Sequence, residues 1–211
     1  MKHKILQKRY LSDDTFVLRF ERNGLEFNPG QHLTVGPFGS PDRREYSIYS
    51  GTKDDYLEVL VKRIDEGQVT PKLNKLKEGD DLEINGPFGF FQLQEDPEAH
   101  HYFISTGTGI SPFHCFAHTD EKLQYTLLHG IRFLSESYDA GHYPTDRYIS
   151  CTSRSDEGQF HGRVTQYLSD QRLPTDGQYY LCGNCDMIYE AYDILVAKGI
   201  DRERIQTEVY F

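Results

Sequence analysis

The residue pattern of this chain changes character once, at Glu95-Asp96-Pro97-Glu98, and that change limits the possible folds more than any other feature. On its N-terminal side, short β-rich segments alternate with turn residues. Phe16-Val17-Leu18-Arg19-Phe20 follows the turn-like Ser12-Asp13-Asp14, and Pro29-Gly30-Gln31 opens a segment that Pro37-Phe38-Gly39-Ser40-Pro41 closes. Tyr46-Ser47-Ile48-Tyr49 and Tyr56-Leu57-Glu58-Val59-Leu60-Val61 read as two more strands. Asp81-Leu82-Glu83-Ile84 alternates polar and apolar after the turn at Gly79. Many short strands with glycine turns specify an antiparallel barrel or sandwich. One helix interrupts them: Thr70 is placed to cap it, Pro71 suits its first position, and Leu73 and Leu76 give it an apolar side.

Beyond the break, strands and helices alternate. Residues 101–105, 125–129, 147–151 and 178–182 read as strands, and 112–119, 163–169 and 185–198 as helices. This rhythm implies a parallel sheet covered on both faces. The expected organisation is therefore two domains, 1–97 and 98–211.

Composition removes several classes of function. The formal net charge of -10 argues against nucleic acid as a partner. The charge is uneven: residues 1–77 carry 14 Lys and Arg against 11 Asp and Glu, and the remainder 9 against 22. Either these are two solvated surfaces, or the first half meets an acidic partner through Lys62, Arg63, Lys72, Lys75 and Lys77. No run of ~18 apolar residues is available to span a membrane. The N-terminus Met1-Lys2-His3-Lys4-Ile5-Leu6 lacks the apolar core of a signal peptide, so a cytoplasmic location is expected. Four cysteines do not suggest a disulfide scaffold. Cys182-Gly183-Asn184-Cys185 is a lone CxxC, short of the four ligands of a structural zinc site, and His114 and His118 have no obvious third ligand. No metal is expected.

Six short motifs carry the chemistry. Arg44-Glu45-Tyr46-Ser47 places an arginine fork, an aromatic ring and a hydroxyl within four residues. Such a set can hold a phosphate, cover a flat ring and reach its polar edge. Arg44 and Tyr46 share a strand face, and Ser47 points the other way or marks a bend. The plainer reading is a surface arginine beside a core tyrosine. Gly67-Gln68-Val69-Thr70 lies where strand gives way to helix, which suits a pyrophosphate or simply a capped helix. Gly107-Thr108-Gly109-Ile110-Ser111-Pro112 follows a strand and opens a helix. Its glycines let backbone approach a phosphate, although the third glycine of a GxGxxG fingerprint is missing. Ser153 and Arg154 follow the third strand of the second half, with Arg163 nearby. They suit either a ribose phosphate or an ion pair with Asp156 or Glu157. Cys182-Gly183 and the terminal Glu208-Val209-Tyr210-Phe211 complete the series.

Taken in order, these motifs resemble the ferredoxin–NADP reductase superfamily, and the compact bacterial ferredoxin (flavodoxin)–NADP reductases in particular. Pro29-Gly30-Gln31, Gly86-Pro87-Phe88-Gly89 and His129-Gly130-Ile131-Arg132 add to the match, as does Ser153-Arg154 continuing to His161-Gly162-Arg163-Val164. The resemblance implies a six-stranded antiparallel β-barrel binding FAD, followed by a doubly wound α/β domain binding NADP(H). It assigns Arg44, Tyr46 and Ser47 to the flavin, with the serine near its reactive nitrogen. Val61 and Lys62 match the strand that meets the flavin and ribityl chain, and Gly67, Val69 and Thr70 the flavin pyrophosphate loop. Thr108, Gly109 and Pro112 match the NADP pyrophosphate loop, and Ser153, Arg154 and Arg163 the NADP-phosphate segment; Arg132, in the stretch after the second strand of the nucleotide domain, is also expected to bind cofactor. Cys182 matches the cysteine beside the nicotinamide, and Glu208 and Tyr210 a C-terminal Glu-x-Tyr.

Two departures stand out. Phe211 extends past Tyr210, so either ring is a candidate to cover the flavin. The stretch between Phe91 and His101 has no room for a long hairpin to hold the adenine of FAD. The implied activity is hydride transfer between NADP(H) and FAD, with single electrons exchanged with ferredoxin or flavodoxin. An NADH-dependent flavin reductase or an oxygenase reductase component is the alternative.

Overall fold

The computed structural model describes every residue except Glu95, Pro97, Glu98 and Phe211. The chain forms two compact units, Met1–Gln92 with His114–Glu121, and Leu93–Phe113 with Lys122–Phe211.

The first unit contains β1 (Lys2–Tyr10), β2 (Thr15–Glu21), β3 (His32–Pro37), β4 (Arg44–Ser47), β5 (Tyr56–Lys62), α1 (Thr70–Lys75) and β6 (Asp81–Phe88). The strands form one antiparallel sheet in the order β4-β3-β6-β1-β2-β5. Its concave side holds a core that includes Phe16, Leu18, Phe20, Leu33, Val35, Val59, Val61 and Ile84. The expected barrel is incomplete. Its terminal strands meet only at the bridge Ile48↔Val59 and at Tyr49 N–H donating to the Glu58 carbonyl over 2.8 Å. A strand as short as β4 cannot supply a full ladder, so the sheet is barrel-like and open at that seam. Helix α1 differs from expectation by one residue: Val69 is its N-cap, and Thr70 is its first residue.

The second unit contains β7 (His101–Thr106), a 3-10 turn (Gly107–Ile110), β8 (Tyr125–Ile131), β9 (Tyr148–Thr152), β10 (Phe160–His161), α3 (Val164–Asp170), β11 (Gln178–Asn184), α4 (Cys185–Ala197) and β12 (Ile205–Tyr210). Helix α2 (Ser111–Thr119) follows the 3-10 turn, and the division between the units falls within it. The strands run parallel in the order β10-β9-β8-β7-β11-β12. Successive side chains of β7 go to opposite faces. Ile104 joins Leu128, Leu181, Leu168 and Leu195 under α3 and α4. Phe103 stacks on Phe113 of α2 at 4.7 Å and on Tyr125 at 5.5 Å, and meets the Tyr180 ring edge-on at 5.8 Å. The sheet is thus doubly wound. Among the described residues, no helix is long and apolar enough to cross a membrane.

Phe103 is fully buried within this aromatic stack. Phe103→Ala is expected to destabilise the protein by about 3–5 kcal/mol, read as a lower denaturant midpoint; a loss under about 1 kcal/mol would contradict the packing described.

Candidate cofactor sites

In the first unit, β4 sets the geometry. It pairs with β3 so that Leu33 lies opposite Tyr46 and Val35 opposite Arg44. Leu33 and Val35 belong to the core, and directly opposed residues share a face, so Arg44 and Tyr46 project to the core side. Glu45 and Ser47 take the other side. Arg44 is exposed, and among the described residues its guanidinium meets only the Arg43 carbonyl, at 3.2 Å. Tyr46 packs against the core, and its buried hydroxyl has no hydrogen-bond partner among the described residues. Burial pushes its pKa well up. An unmade bond to a buried hydroxyl costs about 1–3 kcal/mol. Ser47 is buried.

The loop after β5 closes on itself. Thr70 Oγ1 accepts the Ile64 N–H at 2.9 Å, and Gly67 N–H donates to the Ile64 carbonyl at 2.8 Å. The Thr70 hydroxyl therefore ties the loop and does not cap α1, which has no side-chain cap. Val61 is fully buried on β5. Lys62 pairs with Asp14 at 3.4 Å, Arg63 with Asp65 at 2.7 Å and Lys72 with Asp42 at 2.5 Å. Of the five expected docking cations, only Lys75 and Lys77 have no carboxylate partner among the described residues. The two histidines weighed as ligands have structural partners. His114 stacks on Tyr49 at 3.8 Å and bonds its carbonyl, and His118 lies 3.5 Å from Asp54.

In the second unit the strand order reverses between β7 and β11, where an open α/β sheet has its ligand crevice. Two glycine turns meet there. A Cβ on Gly109 would lie 2.3 Å from the Cys182 carbonyl oxygen, and one on Gly183 would lie 2.6 Å from Thr106 Oγ1. Asn184 N–H donates to that same Thr106 hydroxyl at 3.0 Å. Thr108 follows Gly107 in the first turn, its carbonyl accepting the Ser111 hydroxyl at 2.7 Å, and Pro112 is buried at the start of α2.

The parallel pairing of β11 and β12 sets Cys182 opposite Glu208 and Asn184 opposite Tyr210. The Cys182 thiol donates to Glu208 Oε2 at 3.8 Å, and the Tyr210 hydroxyl bonds the same sulfur. The structure thus brings together Cys182, Glu208 and Tyr210. Burial, and then the Glu208 carboxylate, push the thiol pKa well above its ordinary value. Cys182 is accordingly a neutral thiol. That weighs against dithiol chemistry with Cys185, because the thiolate is the nucleophile. Phe211 lies outside the described residues.

The carboxyl ends of β8 and β9 carry the arginines. Arg154 N–H bonds the Arg132 carbonyl at 2.9 Å, and Ser153 Oγ donates to Ile131 at 3.2 Å. Arg132 binds Glu136 through Nε at 2.9 Å and through Nη2. Glu136 Oε2 also accepts the Arg132 backbone N–H at 2.8 Å. Arg154 and Arg163 are exposed, and among the described residues no ion pair or hydrogen bond engages either guanidinium.

Motif reasoning passed over Thr106, Glu136 and the role of His129. Thr106 and His129 each adjoin a glycine of a quoted motif and Glu136 lies four residues after Arg132, and that spacing was the available signal. His129 is buried and bonds the Gly107 carbonyl and the Tyr148 hydroxyl, both at 2.9 Å. Burial lowers its pKa from 6.5 to about 4. Between these two values the unfolded chain binds a proton that the folded protein does not. Stability from this group is therefore complete above about 6.5 and falls as pH drops toward about 4. The total is about 3 kcal/mol. His129→Gln should flatten the decline of the urea midpoint over that range; parallel curves for the two proteins would refute the linkage.

Residues 2–93 match the family described as the oxidoreductase FAD-binding domain. The chain is 33% identical over 230 aligned positions to the ferredoxin–NADP reductase of Pseudomonas aeruginosa, covering 93% of this chain and 89% of that protein. It is 28% identical to the Azotobacter vinelandii ferredoxin–NADP reductase, with the same coverage of 93% and 89%. Electron-transfer components of oxygenases and NADH-cytochrome b5 reductases also match. A ferredoxin NADP+ reductase from Neisseria gonorrhoeae, solved with bound FAD and NADP, superposes with a TM-score of 0.89 at 21% identity, over 100% of this chain and 98% of that one. At that identity the likeness speaks for the fold. With the sheet order, the glycine crevice and these relatives together, the chain belongs to the ferredoxin–NADP reductase superfamily and is a flavin-dependent oxidoreductase.

Proposed function

We propose that this flavoenzyme transfers hydride between NADP(H) and FAD and exchanges single electrons with ferredoxin or flavodoxin. The observation that carries the NADP(H) reading is the pair Arg154 and Arg163, exposed beside Ser153 without a carboxylate partner among the described residues. A guanidinium fork suits the extra phosphate that distinguishes NADP(H) from NAD(H). Arg132, oriented by Glu136, presents its charge at the same strand ends.

Bound flavin supplies the chemistry that couples a two-electron donor to a one-electron carrier. The protein's part is to bind, orient and adjust charge. Arg44 takes a flavin phosphate, Tyr46 covers the ring system, and Ser47 lies at the reactive edge. Val61 and Lys62 line the ring and ribityl chain, and Gly67, Val69 and Thr70 offer the pyrophosphate loop. The glycine turn with Thr108, Gly109 and Pro112 receives the NADP(H) pyrophosphate. Cys182 and Glu208 face the nicotinamide. A neutral sulfur packs beside that ring, and the Glu208 carboxylate stabilises the positive charge the ring acquires when it gives up hydride. Lys75 and Lys77 are the cations available to an acidic carrier protein.

The purified protein is expected to be yellow, and NADPH to bleach it anaerobically; colourless protein that takes up no FAD would refute the assignment. Replacing both Arg154 and Arg163 with Ala should raise the NADPH KM at least about 10-fold, with little change for NADH. Equal effects on both nucleotides would instead favour an NADH-dependent flavin reductase or oxygenase reductase component. Glu208→Gln should lower kcat for hydride transfer by roughly 10-fold or more while flavin content stays constant; an unchanged kcat would remove Glu208 from the charge-stabilising role.

A further inference from the structure

The Gly107 carbonyl is held from below by a side chain of the neighbouring strand. His129, on β8, lies 2.9 Å from that oxygen through Nε2 and 2.9 Å from the Tyr148 hydroxyl through Nδ1. A carbonyl only accepts, so Nε2 carries the proton. Nδ1 is then the acceptor, and Tyr148, on β9, donates to it. Burial keeps the Tyr148 hydroxyl protonated, its pKa pushed up to about 12. The other groups facing the imidazole are the Tyr138 ring at 5.8 Å and the Glu136 carboxylate, which acts on it at longer range.

Peptide planarity makes this contact informative. The carbonyl of Gly107 and the amide N–H of Thr108 belong to one trans peptide unit and point in opposite directions. Whatever fixes the first fixes the second. Gly107 has φ +52°, and a Cβ there would meet nothing within 4 Å. Glycine visits both signs of φ with little penalty, so a peptide beside it is free to turn over unless something holds it. We infer that His129 is a positioning residue for the nucleotide site: its Nε2–H locks the Gly107–Thr108 peptide, so that the Thr108 amide is presented away from β8, and Tyr148 fixes the tautomer that does so. The inference rests on the proposed reading that this turn receives a pyrophosphate.

Three variants of the FAD-loaded enzyme test it: His129→Leu, which removes the donor; His129→Gln, which returns an N–H at the ε position; and Tyr148→Phe, which releases Nδ1. Each is titrated with NADP+, assayed for KM and kcat, and followed by amide hydrogen exchange over residues 107–110. The Leu variant should bind NADP+ at least about 10-fold more weakly and exchange the Thr108 amide faster, with kcat at saturating nucleotide within about 3-fold of the parent. The Gln variant should recover binding to within about 3-fold, and Tyr148→Phe should fall between. Should the Leu variant not fold, Tyr148→Phe against the parent carries the same comparison. Unchanged binding and exchange without the donor would overturn the inference, as would a Gln variant as impaired as Leu, which would reduce His129 to packing.

Gly109→Ala separates this result from the underlying reading. Its Cβ would drive the turn off the Cys182 carbonyl, so NADP+ binding should be lost. If Gly109→Ala binds NADP+ normally, the turn is not the nucleotide site. If it loses binding while His129→Leu keeps it, the site stands and the positioning role falls.

Discussion

Backbone pressed against backbone at the reversal of the parallel sheet is the constraint on which the second unit depends. The turn after β7 lies so close to the end of β11 that a single added carbon at Gly109 would fall inside the Cys182 carbonyl. The reciprocal contact is as tight, with Gly183 lying against Thr106. Side-chain packing tolerates volume changes by shifting rotamers, but two main chains in contact have no such freedom. The position of the Cys182 thiol is thereby fixed by the turn across from it. The parallel register of β12 then delivers Glu208 to the sulfur. One steric contact thus fixes the cradle and the residues that face it.

The charge distribution follows a similar economy. Within the second unit's interior the titratable groups near the crevice are kept neutral: the Cys182 thiol by burial and by Glu208, and His129 and Tyr148 by burial. Charge is held at the rim, on Glu208 and at the strand ends bearing Arg132, Arg154 and Arg163. Residues 78–211 contain 22 acidic side chains against 9 basic ones. In so acidic a stretch, exposed arginines without a carboxylate partner are unexpected on composition alone. Glu136 shows the contrast, because it takes Arg132 in a paired arrangement while leaving Arg154 and Arg163 to solvent or ligand.

Much of this was legible in the sequence, and what was not has identifiable causes. Glycine turns and the alternation of strand with helix after residue 100 are local signals, and local physics decides them; β7, β8, β9, β11, α2, α3 and α4 emerge within a residue or two of expectation. Strand β1 was hidden because most of its side chains are exposed, which leaves little apolar alternation to read. Strand β12 was hidden because its only buried side chain is Ile205, and it takes its order from β11. The open seam could not be foreseen, since closure depends on how far β4 runs before the chain turns. Thr70 was misread as a cap because the competing partner, the backbone of Ile64, is set by the fold of the loop. The grip of His129 on Gly107 spans 22 residues of chain, and no local pattern reports it.

The two candidate sites differ in how their polar atoms are matched. In the first unit the buried Tyr46 hydroxyl has no partner among the described residues. A native protein rarely tolerates such an atom. A resident flavin stabilises the unit that holds it by mass action, in proportion to its affinity. In the second unit four hydrogen bonds tie the crevice: Thr106 to Asn184, Gly107 to His129, Thr108 to Ser111, and Cys182 to Glu208. A site tied in this way needs little reorganisation to admit a ligand and loses little when the ligand leaves. Ready exchange suits a nucleotide consumed at each turnover, as the proposed function requires.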